Sequence, residues 1–227
     1  MPVYGLDPDY LFFPNPEYAR EDGLLAIGGC LREDWVLRAY EQGIFPWFNS
    51  GDPILWWSVD PRSVLFFSEL HIQKSMRPYL NSDKYKFSID TDFKGVMKAC
   101  ANAPGRGQNQ TWISEEMTEV YASLHELGLA HSAEIWEDGE LVGGLYGVSL
   151  GRAFFGESMF SNRKNMSKLA FIRLSRYLEK KNFDFIDCQV PTPHLTSLGA
   201  KNISRKEYLE RLNKSLAPES IIGKWKA

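Results

Sequence analysis

Between residues 130 and 190 the chain reads as strand, strand, strand, helix, strand, and this run limits the architecture more than any other feature. HSAEIWED and ELVGGLYGVSL flank Asp138-Gly139, a pair that tolerates the positive φ angles of a two-residue hairpin turn. AFFGESMF (residues 153–160) supplies a third strand after Leu150-Gly151-Arg152. SKLAFIRLSRYLEKK has the spacing of an amphipathic helix with a basic end, and FDFIDCQV (residues 183–190) follows as a fourth strand. A helical crossover between strands of one sheet makes those strands parallel neighbours. The order predicts an α+β fold with a mixed sheet.

Upstream the signals are shorter. Residues 1 to 30 are rich in Pro, Gly and aromatic residues and predict irregular structure. LREDWVLRAYEQG (residues 31–43) predicts a short helix, with acids near its start and Gly43 at its end. Pro46, Pro53 and Pro61 divide the next segment into short extended pieces. A boundary near Pro61 separates a small N-terminal domain (residues 1–62) from a larger C-terminal one (residues 63–227). In the latter, HIQKSMRPYL predicts a short basic helix, YKFSIDTDF a strand and FKGVMKACA a helix, followed by a polar, Gly-rich loop at 102–110. Ser114 is a suitable N-cap for a helix whose apolar stripe is Met117, Val120, Tyr121, Leu124 and Leu127, with Gly128 closing it.

A net charge of −3 excludes a uniformly basic nucleic-acid-coating surface, though not a local basic patch. Three widely spaced cysteines without CxxC, and four histidines without HxxxH or HExxH, give neither a disulfide framework nor a readable metal site. No basic n-region and no apolar run of membrane-spanning length occurs. The expectation is a reducing, cytoplasmic protein, and a monomer, since no segment advertises a dimer face.

Within FDFIDCQV, Asp187 and Gln189 stand two positions apart in an otherwise apolar strand, so alternation puts both on one face. Either they bond neighbouring backbone, or they form a proton-accepting pair lining a cleft, the amide orienting an amine through its carbonyl oxygen. A buried carboxylate needs partners in either case. Glu157 of FFGESMF shares a face with Phe155 and Met159 by the same alternation; it either holds an ammonium group or pairs with a nearby arginine. The aromatic set that includes Tyr40, Trp47, Trp112 and Tyr121 reads mainly as core, with Trp47 after Pro46 in a turn-like context suited to a pocket. Lys74, Arg77, Lys84 and Lys86, and a second group of Arg163, Lys164 and Lys168, are either solvated faces or phosphate contacts.

The β-β-β-α-β order is similar to the acetyltransferase-like (GNAT) superfamily, whose members bind the CoA pyrophosphate on a Gly-rich turn before the helix. The corresponding stretch here, FSNRKNMSKLAF, contains no glycine. GLLAIGGCL, AYEQGIFPWF, DPILWWSVDPRSVLF, TWI, GLAHSAEIWEDGELVGGLYGV, FGESMFS and FIDCQV-x-x-x-H-x-x-SLGA occur in order from about residue 12 to 212. This series closely resembles the leucyl/phenylalanyl-tRNA–protein transferase family.

The resemblance implies a small N-terminal domain plus a GNAT-like (acyl-CoA N-acyltransferase-like) C-terminal domain, working without CoA or another cofactor. It implies transfer of Leu or Phe, and Met less readily, from aminoacyl-tRNA to the α-amine of proteins with N-terminal Arg or Lys, marking them for N-degron degradation. It further implies that Asp187 and Gln189 are the proton-relay pair and that Glu157 holds the α-amino group of the aminoacyl moiety. Trp47 and Trp112 would border the site, with Tyr40 and Tyr121 at related positions. Phe154 and Ile186, with Leu145 and Leu174, would form the apolar side-chain pocket. Leu145 and Leu174 stand where relatives can carry Met and Phe, and Leu for Phe enlarges the pocket. Lys74, Arg77 and Lys84 are the candidate tRNA-phosphate contacts. A CoA-dependent acetyltransferase and a non-catalytic RNA-binding module are the rival readings.

Overall fold

The computed structural model describes residues 2–103 and 113–227. Among these residues eleven strands form two sheets. The first sheet contains β1 (Tyr4–Leu6), β2 (Leu24–Gly28), β3 (Phe45–Pro46) and β4 (Leu55–Trp57), in the order β1-β2-β4-β3. Helix α1 (Glu33–Glu41) packs beside it and buries Trp35, Val36, Ala39 and Tyr40. A cis peptide at Asp60-Pro61 separates this sheet from β5 (Arg62–Phe66).

The second sheet holds β5, β6 (Tyr85–Ile89), β7 (Ala130–Glu137), β8 (Glu140–Leu150), β9 (Ala153–Ser161), β10 (Phe185–Gln189) and β11 (Lys201–Ile203), in the order β11-β5-β10-β9-β8-β7-β6. The predicted hairpin is present: Asp138 and Gly139 have φ of 53° and 82°, as a two-residue turn of this kind requires. The predicted crossover is present too. Helix α5 (Met166–Lys180) joins β9 to β10, and those two strands are parallel. The fold is thus mixed α+β with the β-β-β-α-β order expected.

The short basic helix predicted over 71–80 is a 3-10 turn at Lys74–Met76 followed by α2 (Arg77–Leu80). Helices α3 (Phe93–Ala101) and α4 (Glu115–Glu126) cover one face of the large sheet. Ser114 caps α4 by accepting a bond from the Met117 N–H at 3.1 Å. Leu127 departs from the expected stripe: it is the C-cap residue and 53% exposed, because the helix ends before its next turn reaches the core. The 102–110 loop lies largely outside the described residues.

Two apolar clusters sandwich the large sheet. One is continuous from Trp35, Tyr40 and Trp56 to Val96, Tyr146, Phe155 and Tyr208, so the N-terminal sheet shares a core with α3, α4 and α7 (Arg205–Ser215), the helix that follows the single turn of α6 (Pro193–Thr196). The other lies under α5 and holds Leu65, Leu145, Phe154, Leu174 and Ile186. The C-terminal segment seals this second cluster: Trp225 stacks on His131 at 3.5 Å between ring centroids, and its main-chain N–H donates to Asp90 Oδ2. No helix among the described residues is long and apolar enough to cross a membrane.

Candidate functional site

Strands β9 and β10 pair only from Ala153↔Phe185 to Phe155↔Asp187. Immediately beyond, each strand carries a bulge. In β9 the register passes from Gly147↔Gly156 to Tyr146↔Ser158, which leaves Glu157 as the extra residue. In β10 it passes from Val64↔Asp187 to Ser63↔Gln189, which leaves Cys188 as the extra residue. Bulges bend a strand and re-aim its side chains. A cavity of about 640 Å³ lies at this point, lined by residues of both strands.

The bulges correct two expectations built on strict alternation. Met159 does not share the face of Phe155: it packs with the cluster under α5, whereas Phe155 belongs to the opposite cluster. Gln189 does not follow Asp187 as a regular strand neighbour, having φ of +58° in the left-handed region. That conformation is unfavourable for a residue other than glycine. It is held here by the Gln189 N–H donating to Asp187 Oδ1 at 2.9 Å.

Asp187 is 0% exposed, and so is the residue that neutralises it, Arg62 at the head of β5. Arg62 Nε donates to Asp187 Oδ1 at 2.9 Å and Nη2 to Oδ2 at 2.7 Å, a forked pair. The Tyr208 hydroxyl of α7 donates to Oδ2 at 2.7 Å. Burial alone would lower the Arg62 pKa, but Asp187 and Tyr208 beside it hold it above its ordinary value. The arginine partner weighed for Glu157 therefore belongs to Asp187.

Glu157 has neutral partners instead. Its Oε1 accepts from Gln189 Nε2 at 2.7 Å and its Oε2 from the Tyr121 hydroxyl at 3.0 Å. Tyr121 in turn shares a 2.6 Å hydrogen bond with Tyr40. Burial pushes the Glu157 carboxyl up to about 7; the Tyr40 and Tyr121 hydroxyls oppose that rise and the charge of Asp187 adds to it. Tyr40 and Tyr121 are themselves held well above the usual phenol range by burial and by Glu157. A carboxylate poised near neutrality in a cavity is a recurrent mark of a functional site. The Cys188 thiol is pushed up by burial and by Asp187, which keeps it protonated and a poor nucleophile.

The cavity brings together most of the residues singled out in the sequence. Leu145, Phe154, Leu174 and Ile186 line it with Phe171 and Met159 as apolar groups, and Glu157, Asp187, Gln189 and Trp47 line it as well. Trp47 is 44% exposed, and Trp57 Nε1 donates to its carbonyl at 2.7 Å. Tyr40 and Tyr121 stand behind Glu157 rather than in the cavity wall. Trp112 lies outside the described residues. Lys74, Arg77 and Lys84 are exposed and do not line the cavity. Lys84 is ion-paired with Glu137, which also takes Arg163.

Sequence reasoning missed Arg62, Tyr208 and the cavity-lining His194. For Arg62 a signal existed: a cation opening the otherwise largely apolar strand RSVLF needs a buried anion, and Asp187 is the acid in the similarly buried strand FIDCQ.

A sequence model of the leucyl/phenylalanyl-tRNA protein transferases matches residues 64–213, and one of their N-terminal domain matches residues 29–60. The chain belongs to this family. Curated relatives bear the same name, leucyl/phenylalanyl-tRNA--protein transferase. The one from Desulforapulum autotrophicum is 49% identical, covering 99% of this chain and 98% of the relative. That from Nitrosospira multiformis is 54% identical over 97% and 95%, and that from Legionella pneumophila (strain Corby) 52% over 96% and 97%. Among solved structures, a GCN5-related N-acetyltransferase from Kribbella flavida is similar at 10% identity and a TM-score of 0.41, covering 73% of this chain and 58% of that one. As a member of the family, the protein is an aminoacyltransferase.

Proposed function

We propose that this cavity transfers Leu or Phe, and Met less readily, from aminoacyl-tRNA to the α-amine of proteins beginning with Arg or Lys, so marking them for degradation. The supporting observation is one cavity that joins an apolar pocket to the Glu157–Gln189 pair. An aliphatic or aromatic side chain fits the pocket of Leu145, Phe154, Leu174 and Ile186, while charged side chains are rejected by desolvation. Glu157 holds the α-amino group of the aminoacyl moiety. The exposed face of Trp47 offers the terminal adenosine a stacking surface. Lys74 and Arg77, exposed outside the cavity, meet tRNA phosphates, with an affinity that falls as salt rises. In this reading residues 1–62 are a small N-terminal domain and residues 63–227 the catalytic domain, and the enzyme acts as a monomer in the cytoplasm.

The reaction is aminolysis of an activated ester. The incoming nitrogen bonds to the carbonyl carbon, the bond to the ribose oxygen breaks, and the amine's extra proton goes to the departing oxygen. Its balance needs no co-reactant. Glu157, when ionised, accepts from Gln189 Nε2, which turns the amide so that its oxygen faces an incoming amine. This bond also polarises the amide and makes its oxygen a better acceptor. Asp187 acts on the Gln189 main chain, not on its amide. Polarisation of the amide therefore comes from Glu157, and Asp187 supplies position.

Labelled Leu-tRNA mixed with the protein and a substrate bearing N-terminal Arg should give labelled product, and none with N-terminal Ala. Silence with Leu-, Phe- and Met-tRNA alike would return the reading to an acetyltransferase or an RNA-binding module. Since Glu157 retains its proton up to about pH 7, single-turnover transfer should rise with pH through that value. In Glu157→Gln this lower inflection should vanish while the one from the acceptor amine, near pH 7.7–8.0, remains. An unchanged lower inflection in the variant would sink the role of Glu157. Leu174→Phe adds volume to the pocket wall and should lower transfer of Phe relative to Leu by about 10-fold, the scale of one or two methylenes in an apolar pocket; competition between Phe-tRNA and Leu-tRNA measures it.

A further inference from the structure

Among the described residues the Asp187 carboxylate accepts four hydrogen bonds: two from Arg62, one from Tyr208 and one from the Gln189 main chain. Its acceptor sites are filled, leaving none for a substrate. The guanidinium that supplies two of these bonds is itself confined. It lies between the rings of Phe45, at 4.7 Å, and Tyr208, at 4.5 Å, and its Nη1 donates to the Gly43 carbonyl at 3.2 Å. Gly43 and Phe45 belong to the segment that delivers Trp47 to the cavity lining, where Gln189 also stands. One buried cation thus links the segments that carry both groups. Tyr208 completes the arrangement from α7, a helix with no residue in the cavity lining.

We propose that Arg62 and Tyr208 are positioning residues for the transfer: by fixing Asp187 they hold Gln189 in its left-handed bulge, with its amide on Glu157 and aimed into the cavity. The inference rests on the assignment of aminoacyl transfer to this cavity. Neither residue touches substrate; both act through the main chain of the residue that does.

Tyr208→Phe removes one hydroxyl and keeps the ring that packs on Arg62. Exchange of the Gln189 main-chain N–H, followed by NMR, should become about three- to tenfold faster, the equivalent of weakening one hydrogen bond. Single-turnover transfer should slow about tenfold or more through misplacement of the amide, with KM for aminoacyl-tRNA changed less than about twofold. The paired variant Arg62→Met with Asp187→Leu replaces the buried ion pair by apolar side chains of similar size, a change that proteins tolerate. Folded and melting cooperatively, it should still transfer about 10²-fold more slowly. A folded paired variant with the wild-type rate, or Tyr208→Phe with wild-type exchange and rate, would overturn the proposal. If the paired variant does not fold, Tyr208→Phe decides alone. If the wild type itself transfers nothing, the assigned reaction fails, and Gln189 N–H exchange in Tyr208→Phe still decides whether the clamp holds the bulge.

Discussion

Arg62→Ala is expected to lower the stability of the protein by about 3–5 kcal/mol, because it leaves Asp187 buried without its counter-ion. The substitution deletes both forked bonds to Asp187 and the bond to the Gly43 carbonyl, and empties the space between the Phe45 and Tyr208 rings. What remains on the carboxylate is a phenol and one main-chain N–H. Neither carries charge, and the side chain itself is 0% exposed. Urea unfolding followed by tryptophan fluorescence would show a lower midpoint at an unchanged slope, the mark of lost stability without a changed denatured state. A loss below about 1 kcal/mol would be the cost of a surface pair and would show that solvent reaches Asp187 in the native protein. The exposed pair Arg38–Glu41 is the internal control, since Arg38→Ala should cost no more than about 0.5 kcal/mol.

This pair marks where the sequence stopped being readable. The hairpin, the caps and the crossover were legible because each is written locally: Asp138-Gly139 between two strands, Ser114 three residues before the N–H it caps, an apolar stripe between β9 and β10. Arg62 and Asp187 are 125 positions apart and meet only because β5 lies antiparallel to β10. Nothing local specifies that pairing. The two bulges were hidden for a different reason. Alternation is a rule about regular strands, and Glu157 and Cys188 are the positions where the strands cease to be regular. Reading straight through them put Met159 on the wrong face and made Asp187 and Gln189 a simple i, i+2 pair. The same irregularity lets Gln189 reach Glu157, so the failure of the rule coincides with the candidate site. The chemistry of the cavity was not legible from residue patterns alone. It came from the ordered blocks that resemble one family, and the structure then supplied the partners that those blocks omit.

Gln189→Ala is expected to slow single-turnover transfer by about 10²-fold, the scale of losing a group that orients the attacking amine, and to leave aminoacyl-tRNA affinity nearly unchanged. The substitution is unusually clean at this position. The left-handed φ of +58° is strained for glutamine and alanine alike, so the backbone cost does not differ between them. The bond that holds the bulge comes from the main-chain N–H to Asp187, and alanine retains it. Only the amide is lost. Glu157 then keeps its bond from Tyr121 and surrenders the one from Gln189, while the apolar wall of Leu145, Phe154, Leu174 and Ile186 is untouched. Aminoacyl binding should survive because it draws on that wall and on Trp47, whereas the attack loses the acceptor that orients the amine. A fall in affinity matching the fall in rate would place Gln189 in substrate binding. An unchanged rate would show that the Gln189 amide does not orient the incoming amine. Gln189→Asn separates these cases further. It keeps an amide but is one methylene too short to span to Glu157 Oε1, so a rate close to that of Gln189→Ala would show that the amide works only when Glu157 holds it.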